Sequence, residues 1–237
     1  PQDPARIDAY FLGFAGDGKQ QVFAKEVRFV QHALEERFDL FRHEIILANS
    51  PDPAQDALLA SGAALRRALA GLGRTMDVAN DVLVLYVTSH GSDDGSVAVS
   101  QSGLPFNDLY AEDLKDALDA AHIQWRVLII AACYSGAFIE PLENDQTVIF
   151  TAARSDRASF GCSDESELTY FGEALFQDAL PAADSLLDAF RHTQSIIAAR
   201  EKSEGLTPSE PQLYVGPRML TKLRALGIAP HRRASSL

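Results

Sequence analysis

A chain of 237 residues with 46% hydrophobic content can bury a full core, and its length suits one domain spanning residues 1–237. A net charge of -12 argues against a nucleic-acid partner, because phosphate binding needs clustered Lys and Arg, and the one basic cluster is the tail segment His231-Arg232-Arg233. Two cysteines cannot build a disulfide framework and lack zinc spacing, and no apolar run approaches the roughly 18 residues of a membrane span, so no metal and no membrane contact are expected.

In chain order, Ile7 to Phe14 reads as a first strand running into a flexible loop with Gly13, Gly16 and Gly18. The glycines fall as G-x-x-G-x-G rather than G-x-G-x-x-G, an order that misplaces the turn a dinucleotide pyrophosphate needs. Phe23, Val27, Val30, Leu34 and Phe38 recur at three and four, the stripe of a core-facing helix. A strand over Glu44 to Asn49 follows, and a helix from about Ala54 to Ala70 carries Leu58, Leu65 and Leu69 inward. Asp81 to Thr88 is a strand buried on both faces, ending in Ser89-His90-Gly91. Val97 to Val99 is one arm of a small hairpin, and Leu109 to Ala121 is a helix whose acidic residues near the start suit the positive end of its dipole.

Trp125 to Gly136 (WRVLIIAACYSG) repeats the pattern of the His90 strand: an unbroken aliphatic run opens into a tight loop at Cys133. Gln146 to Ala152 is another buried strand. Phe171, Leu175 and Phe176 mark a helix, as do Leu186, Leu187, Phe190 and Ile197; Gln212 to Val215 is a short strand, Met219 to Leu226 a closing helix, and 227–237 a flexible tail. Strands alternate with helices, which predicts an α/β chain: a three-layer α/β/α sandwich of about six mostly parallel strands plus the small hairpin.

Two strands therefore deliver one thiol and one imidazole to the carboxyl edge of the sheet, where ligands bind in open α/β folds. A nucleophilic cysteine needs a neighbour that raises its thiolate fraction, and His90 is the one histidine at a strand's carboxyl end beside a glycine. His32, His122 and His192 fall on expected helices, His43 precedes a strand and His231 lies in the tail, so they read as structural. Gly91 lets backbone approach a substrate closely, and the Gly91 and Cys133 amides can face one carbonyl oxygen. Cys162 reads as a filler or as a partner for oxidation with Cys133.

These motifs, TSHGS, then LPFNDLYAEDL, then IIAACYSG, resemble the legumain family of cysteine peptidases, relatives of caspases, in its bacterial type; TAARSDRASFGCSDESELTYFGEAL resembles the family's substrate-pocket segment, and the likeness covers about residues 7–180. The resemblance implies a caspase-like domain and a cysteine endopeptidase that cuts peptide or protein substrates. It also implies a Cys133 nucleophile, a His90 acid/base, a Gly91 and Cys133 amide oxyanion hole, a thioester acyl-enzyme and no cofactor. An incoming amine in place of water would make the same dyad a transpeptidase or transamidase; a binding module without turnover is the alternative of another class.

The family's asparagine pocket pairs an arginine with two acidic groups. By alignment the arginine falls near Gln21 and one acid at Ala131, leaving Glu173 as a lone pocket carboxylate with Ser159 as a wall. An uncompensated carboxylate favours a basic side chain, so cleavage after asparagine is expected to be poor and Lys or Arg accepted. Ser89 stands where legumain has an aspartate. The start at Pro1 suggests a trimmed or processed form, and bacterial relatives favour a location outside the cytoplasm.

Overall fold

Six strands form one sheet in the order β2-β1-β3-β4-β5-β6, and all neighbours run parallel except β5 and β6. The strands are β1 (Ala9–Ala15), β2 (Phe41–Ala48), β3 (Val82–Thr88), β4 (Trp125–Ala131), β5 (Thr147–Thr151) and β6 (Gln212–Val215). This computed structural model describes residues 7–38, 41–51, 58–163 and 165–225. The expected tail over 227–237 lies outside them.

β1, β3 and β4 are buried along their whole length, as unbroken aliphatic runs require. Alternate residues serve two cores. Phe11, Val84, Tyr86, Val127 and Ile129 face one side, packed under α1 (Val22–Phe38), α6 (Leu186–Glu204) and α7 (Met219–Ala225). Leu12, Leu85, Val87, Leu128 and Ile130 face the other, under α2 (Gly62–Thr75), α3 (Ala111–Ala120) and α4 (Ile139–Leu142). The result is the three-layer α/β/α sandwich that the alternation of elements predicts.

Four expectations shift. The second helix begins at Gly62, because the Ser61 hydroxyl caps it by accepting from the Ala64 amide; the expected start at Ala54 lies outside the described residues, and Leu58, expected to face inward on that helix, bridges Leu47 and is 66% exposed. The segment behind β5 opens as a short α5 (Tyr170–Gly172), widens to a π-helix over Glu173–Ala179 and tightens to a 3₁₀ turn over Leu180–Ala182. The loop at Gly16 and Gly18 is strapped down rather than flexible. The Gly16 amide donates to the Thr88 carbonyl at 3.0 Å and the Gly18 amide to that of Ser100 at 2.8 Å, and a Cβ on Gly16 would stand 2.3 Å from the Ala98 carbonyl. Its amides are spent on the protein, and the glycine spacing answers to backbone packing. The small hairpin is reduced to isolated bridges, Gly91 with Val97 and Val97 with Leu109.

Candidate active site

Thr88 and Ala131 are partners across the β3–β4 ladder, so two parallel chains leave the sheet at the same end, and His90 and Cys133 follow two residues later on each. The backbones stay in contact beyond the strands. A Cβ on Gly91 would lie 1.9 Å from the Cys133 carbonyl oxygen and 3.1 Å from its nitrogen, so a glycine is required where the two loops touch. Each loop is pinned independently. The His90 carbonyl accepts from the Ala98 amide at 2.8 Å, while Tyr134, left-handed at φ 57°, donates its amide to the Arg157 carbonyl at 2.7 Å. Ser135 Oγ accepts from the Ala153 amide at 3.1 Å.

The Cys133 sulfur is ringed by donors. The Ser159 amide donates to Sγ at 3.2 Å and the Ser159 carbonyl lies 3.4 Å from it, while Cys162 and the amides of Gly91 and Cys133 itself lie close enough to act on its ionisation. Cys162 is the largest influence on the Cys133 thiol, and with the three amides it outweighs burial and brings the pKa down to about 6. Cys162 moves the other way. The neighbouring Cys133 thiol, its own burial, the Cys133 charge and the nearby Glu26 carboxylate all hold it protonated.

His90 Nε2 lies 2.7 Å from Gln20 Oε1, and the imidazole meets the Phe23 ring edge-on at 5.0 Å between centroids. An amide oxygen only accepts, so Nε2 carries the proton and Nδ1 is the nitrogen left to exchange one. Under this pair sits Glu26, fully buried on α1, accepting from Tyr86 Oη and Thr88 Oγ1 at 2.7 Å each and from the Thr169 amide at 2.6 Å. Burial nonetheless raises its pKa above the ordinary carboxylate value, against the lowering by those donors.

Of the residues singled out from sequence, Ser159 meets the sulfur directly through its backbone. Ala131 is buried at the end of β4 within the core under α1 and α6. Gln21 is exposed, and its neighbour Gln20 reaches His90 instead. Ser89 Oγ donates to the Ala98 carbonyl at 2.7 Å and so holds the loop after β3. Glu173 departs from the expectation of a lone carboxylate: Arg200 Nη1 of α6 donates to it at 2.6 Å, and the same guanidinium lies 3.5 Å over the Tyr170 ring and pairs with Glu204. The sequence could not show this pairing, because Arg200 arrives from a helix 27 residues downstream. Gln20 and Glu26 were missed altogether. Glu26 did leave a signal, since it stands three residues after Phe23 and beside Val27 on the apolar face of α1. Among the described residues, no group of three or more His, Cys, Asp or Glu side chains is arranged to hold a metal, and no helix is long and apolar enough to cross a membrane.

The fold is similar to that of caspase-1 from Spodoptera frugiperda, with a TM-score of 0.64 at 12% identity over 89% of this chain and 87% of that one. No curated protein matches the chain. The sequence profile of the peptidase C13 family matches residues 62–222. That span takes in both edge loops and the donors around the sulfur and covers well over half the chain, so the protein belongs to the peptidase C13 family, the legumain family of cysteine peptidases.

Proposed function

We propose that the protein is a cysteine endopeptidase working through Cys133 and His90. The Cys133 thiolate attacks the scissile carbonyl, and the developing oxyanion is received by the amides of Gly91 and Cys133. His90, whose Nδ1 has taken the proton of the Cys133 thiol, delivers that proton to the departing amine, leaving a thioester on Cys133. Water, deprotonated by His90, then releases the acid product and restores the thiol. The reading rests above all on the apposition of Gly91 with Cys133, which turns two amides toward one sulfur without an intervening side chain. Removing one such donor costs about 3 kcal/mol of transition-state stabilisation. Gln20 serves as the positioning residue for the imidazole.

An active-site acyloxymethyl-ketone probe tests this reading. Labelling is expected at Cys133 well ahead of Cys162, to vanish in Cys133→Ala, and to slow in His90→Ala together with turnover of a peptide library. Equal labelling of both thiols, or a Cys133→Ala variant that still cuts peptides, overturns it.

A further inference from the structure

The chain has two cysteines, and Cys162 lies three residues beyond Ser159, whose backbone touches the Cys133 sulfur. Cys133 stands two residues beyond β4, while Cys162 arrives on the loop after β5. That loop is held against the sulfur by the Ser159 backbone, whose amide lies 3.2 Å and carbonyl 3.4 Å from Sγ. Gly161 turns through the left-handed region at φ 84° with Tyr170 packed against it, and the Tyr170 amide donates to the Phe160 carbonyl at 3.0 Å. The turn therefore fixes the backbone beside Cys162 next to the Cys133 sulfur, and the two thiols are close enough to act on each other's ionisation. Both thiols are half-buried and free, reachable by a small oxidant. In the proposed hydrolysis Cys162 makes and breaks no bond; it acts only on the acidity of Cys133.

We propose that Cys133 and Cys162 form a peroxide-responsive pair, in which Cys133 is the oxidised thiol, Cys162 the resolving thiol, and a Cys133–Cys162 disulfide the reversible end state. In the first step the Cys133 thiolate attacks one oxygen of a hydroperoxide; the O–O bond breaks, the sulfur becomes a sulfenic acid, and the other oxygen leaves as hydroxide or alkoxide and takes up a proton. In the second, the Cys162 sulfur displaces hydroxide from the sulfenic sulfur. The S–S bond forms, and the Cys162 proton leaves with that hydroxide as water. A dithiol reductant reverses the state by exchange. The residue distribution matches what such a pair needs: one ionised thiol that reacts first, and a protonated neighbour close enough to trap the sulfenic acid before a second oxidation. The consequence for turnover rests on the peptidase reading, whereas disulfide formation does not.

The test treats the reduced full chain with hydrogen peroxide, quenches free thiols, and maps the protein by non-reducing mass spectrometry after trypsin. Peptide 127–154 is expected cross-linked to peptide 158–191, at the cost of two hydrogens, with both peptides released by dithiothreitol. Wild-type labelling by an active-site probe should fall at least ten-fold and recover on reduction. Cys162→Ala and Cys162→Ser should instead accumulate sulfinic and sulfonic Cys133 that reduction does not restore. Absence of the cross-linked pair from oxidised wild type, or equal recovery in the Cys162 variants, overturns the proposal. A cross-link without any change in peptide turnover would spare the pair and remove the peptidase reading instead.

Discussion

The acidity of Cys133 offers the sharpest check on the site, because its cause is local. The largest influence lowering its pKa is that of Cys162, followed by the amides of Ser159, Gly91 and Cys133. Cys162→Ala deletes the first and keeps the amides. A hydrogen bond to a charged group contributes about 1.5 kcal/mol at the low end, which suits a weak S–H donor. At 1.36 kcal/mol per pKa unit this raises the Cys133 pKa by about one unit. At pH 6 the ionised fraction then falls from about one half to about one tenth, a roughly five-fold loss of thiol reactivity, while well above pH 8 the two proteins converge. The sign follows from the direction of the shift: a depressed thiol pKa keeps the nucleophile charged into mild acid, and removing the donor moves the acid limb toward neutrality. Iodoacetamide alkylation of Cys133, followed by site-resolved mass spectrometry across pH, measures the midpoint. Cys162→Ser, which keeps a donor, should lie between wild type and Cys162→Ala. An unmoved midpoint in Cys162→Ala beside a raised one in His90→Ala would assign thiolate stabilisation to the imidazolium and refute the reasoning.

Three other outcomes are expected. Gly91→Ala forces a Cβ to within 1.9 Å of the Cys133 carbonyl, so the two loops must part; kcat/KM on peptides should fall by about two orders of magnitude or more, and near-normal turnover would remove the amide pair from the chemistry. Glu26→Ala leaves the Tyr86 and Thr88 hydroxyls and the Thr169 amide without their acceptor at a fully buried position, which should lower stability by about 3 kcal/mol in urea unfolding; a change below about 1 kcal/mol would mean that water replaces the carboxylate. Arg200→Ala frees Glu173 from its ion pair, and library profiling should show acceptance of Lys or Arg before the cut rising relative to wild type; identical profiles would place Glu173 outside the substrate pocket.

The strands β3 and β4 were legible because burial on both faces writes an unbroken aliphatic run, and the Gly91 position was legible because only close backbone approach asks for glycine there. The two-sided core follows from the same alternation of elements, whereas the strand order, with β2 outside β1 and β6 antiparallel at the far edge, is not written in it. What the sequence hid depends on partners distant along the chain. Gln20 and His90 are 70 residues apart, and Glu26 and Thr169 are 143 apart, and neither pairing leaves a periodic mark. The π-helical turn after Gly172 was equally hidden, since its apolar residues fit an ordinary helical spacing. Glu173 shows the limit of carrying a pocket over by alignment: the acid is present, but its charge is answered by an arginine from α6.

The geometry of the amides and the acidity of the sulfur are carried by different parts of the molecule. Gly91 and Cys133 stand two or three residues beyond strands that are buried throughout, so their mutual position is set by the core of the sheet. The donors from Ser159 and Cys162 belong to a loop seated on Tyr170, whose ring lies beneath Arg200 and whose hydroxyl donates to Glu204 at 2.8 Å. Perturbing β3 or β4 should therefore damage catalysis at every pH. Perturbing the Tyr170 seat should leave the alkaline rate intact and shift only the acid limb. A Tyr170→Ala variant with a normal pH profile and a uniformly lower rate would show the loop to be part of the amide scaffold, and the two functions to be one.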